Sequence, residues 1–256
     1  FSESGWWGRI FSEMKVLITI LIGLLVVGCG GSKEKATPET QAKAEPKKPE
    51  AVPVVTVTID NPILEKAIRK SIKKPTGELT KADLENMEWL ELTSNQLTSV
   101  KGLEKLTQLE VLFLDSNQLT DVKELAKLTL LKKLEKLVLS ENQITDLECL
   151  ESLTQLKELF IGGNKLADLK FLKKLTRLER LGLSNSQLIN VKGLENLTQL
   201  EELFLERNKL VNLSGLEKLT KLKYLDLADN SDLTKAQIDE LQKALPKCKI
   251  FHNAKK

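Results

Sequence analysis

Histidine, tyrosine and methionine are nearly missing from this chain: one, one and two among 256 residues. The lone histidine, His252, lies in the tail, so a histidine-based metal cluster is excluded and a Ser/His/Asp set cannot be assembled. Gly162-Gly163 has no phosphate-loop context around it. Aromatic residues make up only 4%. Charge of one sign is also lacking, since 39 Lys and Arg face 36 Asp and Glu for a net +3. Lys and Glu alternate along the chain, which excludes the clustered basic patch of a general nucleic-acid binder. Long hydrophobic runs are absent except for one of 13 residues, Val16 to Gly28, shorter than the roughly 20 needed to span a bilayer. These absences point away from an enzyme, and no cofactor or metal site is expected.

What the chain does have is leucine, in a fixed pattern. It first falls on Leu90, Leu92, Asn95, Leu97, Val100, Leu103, Leu106 and Leu109, and adding 22 gives Leu112, Leu114, Asn117, Leu119, Val122, Leu125, Leu128 and Leu131. Later copies open at Leu137, Leu159, Leu181, Leu203 and Leu225, the last one truncated. Self-similarity at this period marks a solenoid, in which each unit contacts only its neighbours. Within a unit, Leu-x-Leu reads as a short strand with both leucines inward. The asparagine that follows is expected to be buried and to bond backbone groups of its own and the neighbouring turn. That gives a ladder of Asn95, Asn117, Asn142, Asn164, Asn208 and Asn230, broken at Ser186, which Asn185 precedes. The remaining leucines recur every three residues, which suits 3₁₀ turns, and Gly102, Gly193 and Gly215 fit tight turning there. The predicted fold is α/β: a leucine-rich-repeat solenoid with a curved parallel sheet on its concave face and 3₁₀ or short helical turns on its convex face.

One step differs. Leu112 to Leu137 is 25 residues, so one extra three-residue unit is expected on the convex side with the strand register unchanged. With Cys149 and Cys248 four repeats apart, stacking at about 4.8 Å per strand separates them by roughly 20 Å, beyond disulfide reach.

A solenoid exposes its core at both ends and needs caps. Residues 54–88 form the predicted helical N-terminal cap. It comprises a strand-like run from Val54 to Ile59 and a helix begun by Asn61 and Pro62, with Ile63, Leu64, Ala67, Ile68 and Ile72 on its apolar face. A turn at Lys74 to Gly77 follows, then a second short helix capped by Thr80 and carrying Leu84 and Met87. The repeats occupy 89–233. Residues 234–256 hold the helix–strand C-terminal cap. Thr234 and Gln237 form a capping box, Ile238, Leu241, Ala244 and Leu245 an apolar face, and Lys247 to Phe251 a closing strand. With both ends covered, a monomer is expected.

Upstream of the caps, Met14-Lys15, the apolar run and Val26-Val27-Gly28-Cys29 have the plan of a signal peptide. The four residues ending at Cys29 resemble the lipobox of bacterial lipoproteins. That resemblance implies a signal peptide over 14–28, lipid on Cys29 and a mature chain starting there. Residues 1–13 are then expected to be upstream read-through. Gly30 to Pro53 carries four of the seven prolines and almost no large apolar residue, and reads as a disordered spacer reaching about 30 Å. The expected location is the bacterial envelope, anchored to a membrane by lipid. Gly30, rather than aspartate, after Cys29 implies the outer membrane in a Gram-negative cell.

The 22-residue L-x-L-x-x-N-x-L-x-D-[VL] repeats and both caps resemble the internalin-like subclass of bacterial leucine-rich-repeat proteins over about residues 54–252. The resemblance implies protein binding. Alternation places two columns outward on the concave sheet, Trp89, Val111, Lys136, Glu158, Arg180, Glu202, Tyr224 and Glu91, Phe113, Val138, Phe160, Gly182, Phe204, Asp226. A third starts at Thr93 and includes Asp115 and Glu206. Nothing in the core requires the rings of Phe113, Phe160 and Phe204, so they are expected to be exposed and to form a binding patch. The candidate site is Trp89, Glu91, Phe113, Asp115, Val138, Glu158, Phe160, Arg180, Phe204, Glu206, Tyr224 and Asp226. With the residues one further on included, which add Glu141, Asp229 and Arg207, eight acids oppose three bases on this face, and that suits a protein partner with basic and apolar groups. Two rivals stand beside this reading: a cell-wall glycan binder, and an unprocessed intracellular scaffold. Metabolic labelling with a clickable fatty acid separates the last from the first two, because the wild type should take up label and Cys29→Ser should lose all of it. Equal labelling of the two would remove the lipoprotein expectation.

Overall fold

The computed structural model describes residues 55–130 and 133–255, all within the second of two compact units, Val52–Lys256. The expected signal peptide, Cys29 and the spacer lie outside the described residues. Three-residue strands stack into one parallel sheet in chain order. They are β1 (Trp89–Glu91), β2 (Val111–Phe113), β3 (Lys136–Val138), β4 (Glu158–Phe160), β5 (Arg180–Gly182), β6 (Glu202–Phe204), β7 (Tyr224–Asp226) and β8 (Lys249–Phe251). The register aligns Leu90, Leu112, Leu137, Leu159, Leu181, Leu203 and Leu225 in one row, closed by Ile250. The second inward row runs from Leu92 to Leu227 and is equally buried. Each side chain at these positions is sealed by its own repeat and by the repeats before and after it, which is why a unit alone could not fold.

On the other face the leucine-every-third-residue rule produces chains of i→i+3 bonds. Leu103, Leu106 and Leu109 donate in turn to Val100, Leu103 and Leu106. Five of these segments are 3₁₀ helices: Leu103–Lys105, Lys123–Leu130, Glu148–Ser152, Lys170–Lys174 and Leu216–Lys218. The segment after β5 makes the same bonds, from Leu194, Leu197 and Leu200, as separate turns. Gly102, Gly193 and Gly215 sit at φ near +104° (104°, 105° and 103°), where any other L residue is strained. The longest 3₁₀ segment, Lys123–Leu130, falls in the repeat with the 25-residue step, while Leu112 still pairs with Leu137. The insertion is thus accommodated on the convex side without a register shift.

At the N-terminus, α1 (Pro62–Ser71) is capped by Asn61, whose Oδ1 accepts from the Ile63 and Leu64 amides at 3.0 and 3.2 Å. The shorter α2 (Lys81–Leu84) has a reciprocal box between Thr80 and Asp83. Leu64, Ile68, Leu84 and Met87 close the first repeat. Of the strand expected over Val54 to Ile59, the described part from Val55 does not form one. Only Thr56 bridges Thr80, antiparallel, with single bonds on either side from Val57 to Leu79 and from Lys81 to Val55. The run has no second partner, because helix α1 and not a strand lies against β1. At the C-terminus α3 (Lys235–Ala244) uses the predicted Thr234–Gln237 box and buries Ile238, Leu241 and Leu245. Ala244 is exposed rather than on the apolar face. Cys149 is half-buried and Cys248 buried, both as free thiols, and burial pushes each up to about 11.

The asparagines supply what the turns need. Asn117 Oδ1 accepts from the Asn95 and Leu97 amides of the preceding repeat at 3.0 and 2.9 Å. Its Nδ2 donates back to Leu92 O at 2.8 Å and to its own Leu114 O at 2.9 Å. Asn142, Asn164, Asn208 and Asn230 repeat this arrangement. Each amide therefore reaches backward. Asn95 has no earlier repeat to reach, and it is exposed rather than buried, donating only to Thr93 O at 2.8 Å. Ser186 is buried but short, and its Oγ turns to Ser184 O. Asn185 beside it has φ +53°, the same left-handed conformation that Ser94, Ser116, Glu141, Arg207 and Asp229 take at this place in their repeats, so it does not replace the rung. No ladder oxygen then reaches the amide of Leu166, and Leu166 is half-buried where Leu97, Leu119, Ile144, Leu188 and Leu210 are buried. Restoring the rung with Ser186→Asn should add about 1 kcal/mol and raise Tm by about 2–4 °C in a thermal melt. A lower Tm would mean the serine turn is already satisfied.

Candidate functional site on the concave face

The strand register brings the predicted columns together as drawn from the sequence: Trp89, Val111, Lys136, Glu158, Arg180, Glu202 and Tyr224 in one row, with Lys249 added by β8. Its centre is an alternating ion chain. Lys136 Nζ lies 2.8 Å from Glu158, and Arg180 bonds Glu158 at 3.3 Å and Glu202 at 2.8 Å. Glu158 and Arg180 are half-buried, which shields these pairs from water more than ordinary surface pairs.

The phenylalanines correct an expectation. Phe113, Phe160 and Phe204 are only 5%, 7% and 7% exposed, and Val138 between them 2%. The rings are packed from the side. Phe113 stands edge-on to Trp89 at 6.1 Å, and Phe204 lies 6.3 Å from Phe160 and 5.6 Å from Tyr224. Lys136 Nζ sits 5.6 Å from the Phe113 ring and 5.8 Å from Phe160, with the Arg180 guanidinium at 5.7 Å from Phe160. Gly182 makes room for this. A Cβ there would come within 2.5 Å of Phe160 Cδ1, so the ring occupies the space a side chain would take. The column is a second, smaller core on the inner face, and its rings act through their edges and the cations over them. Truncating any one to alanine removes a buried ring at about 3–5 kcal/mol, so alanine replacement reports on stability before binding.

The acids divide into two groups. Near the N-terminal end, Asp115 is buried, accepts from Thr93 Oγ1 at 2.9 Å, and has its carboxyl raised by burial and by the neighbouring Glu91. Near the C-terminal end, burial raises Glu206, with Asp226 adding to it, and burial raises Asp226 in turn. Tyr224 is pushed up to about 12 by burial and by Asp226, to which its hydroxyl donates at 3.4 Å. Two buried polar atoms on this face, Trp89 Nε1 and Glu206 Oε2, have no partner among the described residues. The described residues contain no cluster of His, Cys, Asp and Glu placed to hold a metal ion.

Phe251 was not foreseen here. It continues the phenylalanine column in register with Asp226 and is 52% exposed. The signal was the tripeptide Lys249-Ile250-Phe251, which repeats the x-L-x form of each strand.

The family profile of leucine-rich repeats in two copies matches residues 85–127, 132–174 and 198–243, slightly over half of the chain. The chain belongs to the leucine-rich-repeat family. Among solved structures it is similar to the internalin inlF of Listeria monocytogenes, at 28% identity and a TM-score of 0.68, over 76% of this chain and 57% of that one. It is also similar to internalin C2 of the same organism, at 26% identity and a TM-score of 0.63, over 80% of this chain and all of that one. Within the family it is a bacterial, internalin-like member. Among curated proteins nothing matches significantly.

The electrostatics of Glu206 have a measurable sign. Its folded carboxyl titrates above the usual range, so the unfolded state releases its proton first and ionisation costs stability. That cost is absent at low pH and appears as pH rises through the folded pKa. Glu206→Gln should therefore raise Tm at pH 7, with the gain vanishing below about pH 4, where both states are protonated. A variant no more stable than the wild type at pH 7 would show the carboxylate to be satisfied by solvent.

Proposed function

We propose that this protein is a bacterial envelope lipoprotein, tethered through lipid on Cys29, whose leucine-rich-repeat domain binds another protein on its concave face. The observation that carries this is the charge arrangement of that face. Lys136 and Arg180 are already committed to Glu158 and Glu202, while Asp115, Glu206 and Asp226 sit where burial opposes their charge, with Ser184 and Arg207 offsetting only part of it at Glu206. A stack that needs only leucines for its core has no folding use for partly buried carboxylates, since their burial costs stability. A partner that brings cations and excludes water recovers that cost, and electrostatic attraction also speeds its approach.

The glycan alternative depends on open ring faces for stacking. Phe113, Phe160 and Phe204 do not offer them, and Phe251 is largely exposed only at the C-terminal edge, which favours a protein ligand over the centre of the face. Anchoring places a binding domain on a spacer near a membrane, and no described helix is long and apolar enough to cross one itself.

The test leaves the buried rings in place. Val111→Arg with Ala228→Arg puts bulk and positive charge on the two ends of the concave face at half-buried positions. Thr154→Arg with Gln199→Arg does the same at exposed convex positions. In capture from a solubilised native envelope, the concave pair should reduce recovery of the bound protein about tenfold or more and the convex pair should leave it unchanged. Undiminished capture by the concave pair would remove the site assignment.

A further inference from the structure

We propose that the concave face takes one extended polypeptide segment, laid across the strands, that presents two basic side chains about six residues apart. This rests on the concave-face reading above and specifies its ligand.

The centre of the face is electrically closed. Glu158 is shared by Lys136 and Arg180, and Arg180 also holds Glu202, so an incoming cation finds no unengaged carboxylate there. The two ends are open. At one, Asp115 is buried beside Glu91 and is held only by neutral donors, Thr93 Oγ1 among them; at the other, Glu206 is part-buried beside Asp226, with Ser184 and Arg207 offsetting only part of the cost. Glu206 Oε2 is enclosed and without a hydrogen-bond donor among the described residues. A like-charged pair in partial burial is stabilised most by an intervening cation, and a guanidinium can bridge two carboxylates at once.

The path between the ends is low. The third outward column reads Ser140, Gly162 and Ser184 between Asp115 and Glu206. At Gly162 even a Cβ would fall 2.5 Å from Ser184 O, so the floor there is bare backbone. The Phe160 and Phe204 rings lie along one side of this path, in the adjacent column. Such a channel admits a main chain, and its acidic ends exclude an anionic one.

Geometry sets the spacing. Asp115 follows β2 and Glu206 follows β6, four strand steps apart. At about 4.8 Å per step the two stations are roughly 19 Å apart, and an extended chain advances about 3.3 Å per residue, which gives the interval of about six. A compact basic cluster can satisfy only one station.

Fluorescence anisotropy with labelled synthetic peptides of about ten residues tests this. One carries two arginines about six residues apart in a Gly-Ser-Leu background, one carries them about two apart, and one carries a single arginine. The spaced peptide should bind the wild-type chain about tenfold more tightly than the clustered peptide of equal charge. Glu91→Gln with Asp115→Asn, and separately Glu206→Gln with Asp226→Asn, should each reduce the spaced peptide to the level of the single-arginine peptide. Circular dichroism melts confirm that both variants remain folded. Equal affinity for spaced and clustered peptides, or an undiminished spaced peptide in either variant, overturns the inference. If the spaced peptide fails while Val111→Arg with Ala228→Arg still abolishes envelope capture, the ligand class is wrong and the concave-face reading stands. If the peptide fails and capture is also undiminished, both fall.

Discussion

The constraint on which this structure depends is the satisfaction of backbone polar groups in a chain with little regular secondary structure. Each strand is three residues long, and most of each repeat is turn. Burying such a chain would strand amides and carbonyls at every bend, at about 1–3 kcal/mol apiece. The buried asparagine after β2, β3, β4, β6 and β7 answers this with one side chain. Its oxygen takes amides of the previous repeat, and its nitrogen bonds a carbonyl of that repeat and one of its own. The bond that completes one turn is thereby the bond that fixes the next repeat upon it. Leucines supply the driving force for stacking, and the asparagines fix the stacking geometry.

Much of this was readable in advance, and the reason is periodicity. A spacing of 22 fixes which residues share a row, so the columns from Trp89 to Tyr224 and from Leu90 to Leu225 followed from arithmetic. What failed depended on neighbours that a single repeat does not contain. Asn95 carries the same letter as Asn117, yet it is exposed because the preceding element is a helical cap rather than a repeat. Phe113, Phe160 and Phe204 alternate outward, and alternation says nothing of lateral packing. The clue was Gly182 in the same row as Phe160, since a glycine beside an aromatic leaves the ring somewhere to lie. Val54 to Ile59 has strand composition, but its described part, from Val55, has no adjacent strand to pair with on its far side.

The concave face then has a division of labour. Its middle is finished: rings beneath cations, cations between carboxylates. Its ends hold acids in places where burial opposes their charge. Natural sequences give up stability at positions of use, and under the proposed function the same few carboxylates that weigh against the fold are the ones a cationic partner would engage. Mutations in the middle will disturb the scaffold, whereas the carboxylates at the ends carry no such structural load.

The missing rung at Ser186 has a mechanical meaning. A stack of coupled units under tension opens where coupling between neighbours is weakest, and units on either side retain their own contacts. With β1 to β4 on one side and β5 to β8 on the other, the gap divides the array into halves, each with one cap. Under tension, the seam between β4 and β5 is held by backbone pairing and by the Arg180–Glu158 pair, without the asparagine bond that ties the neighbouring seams.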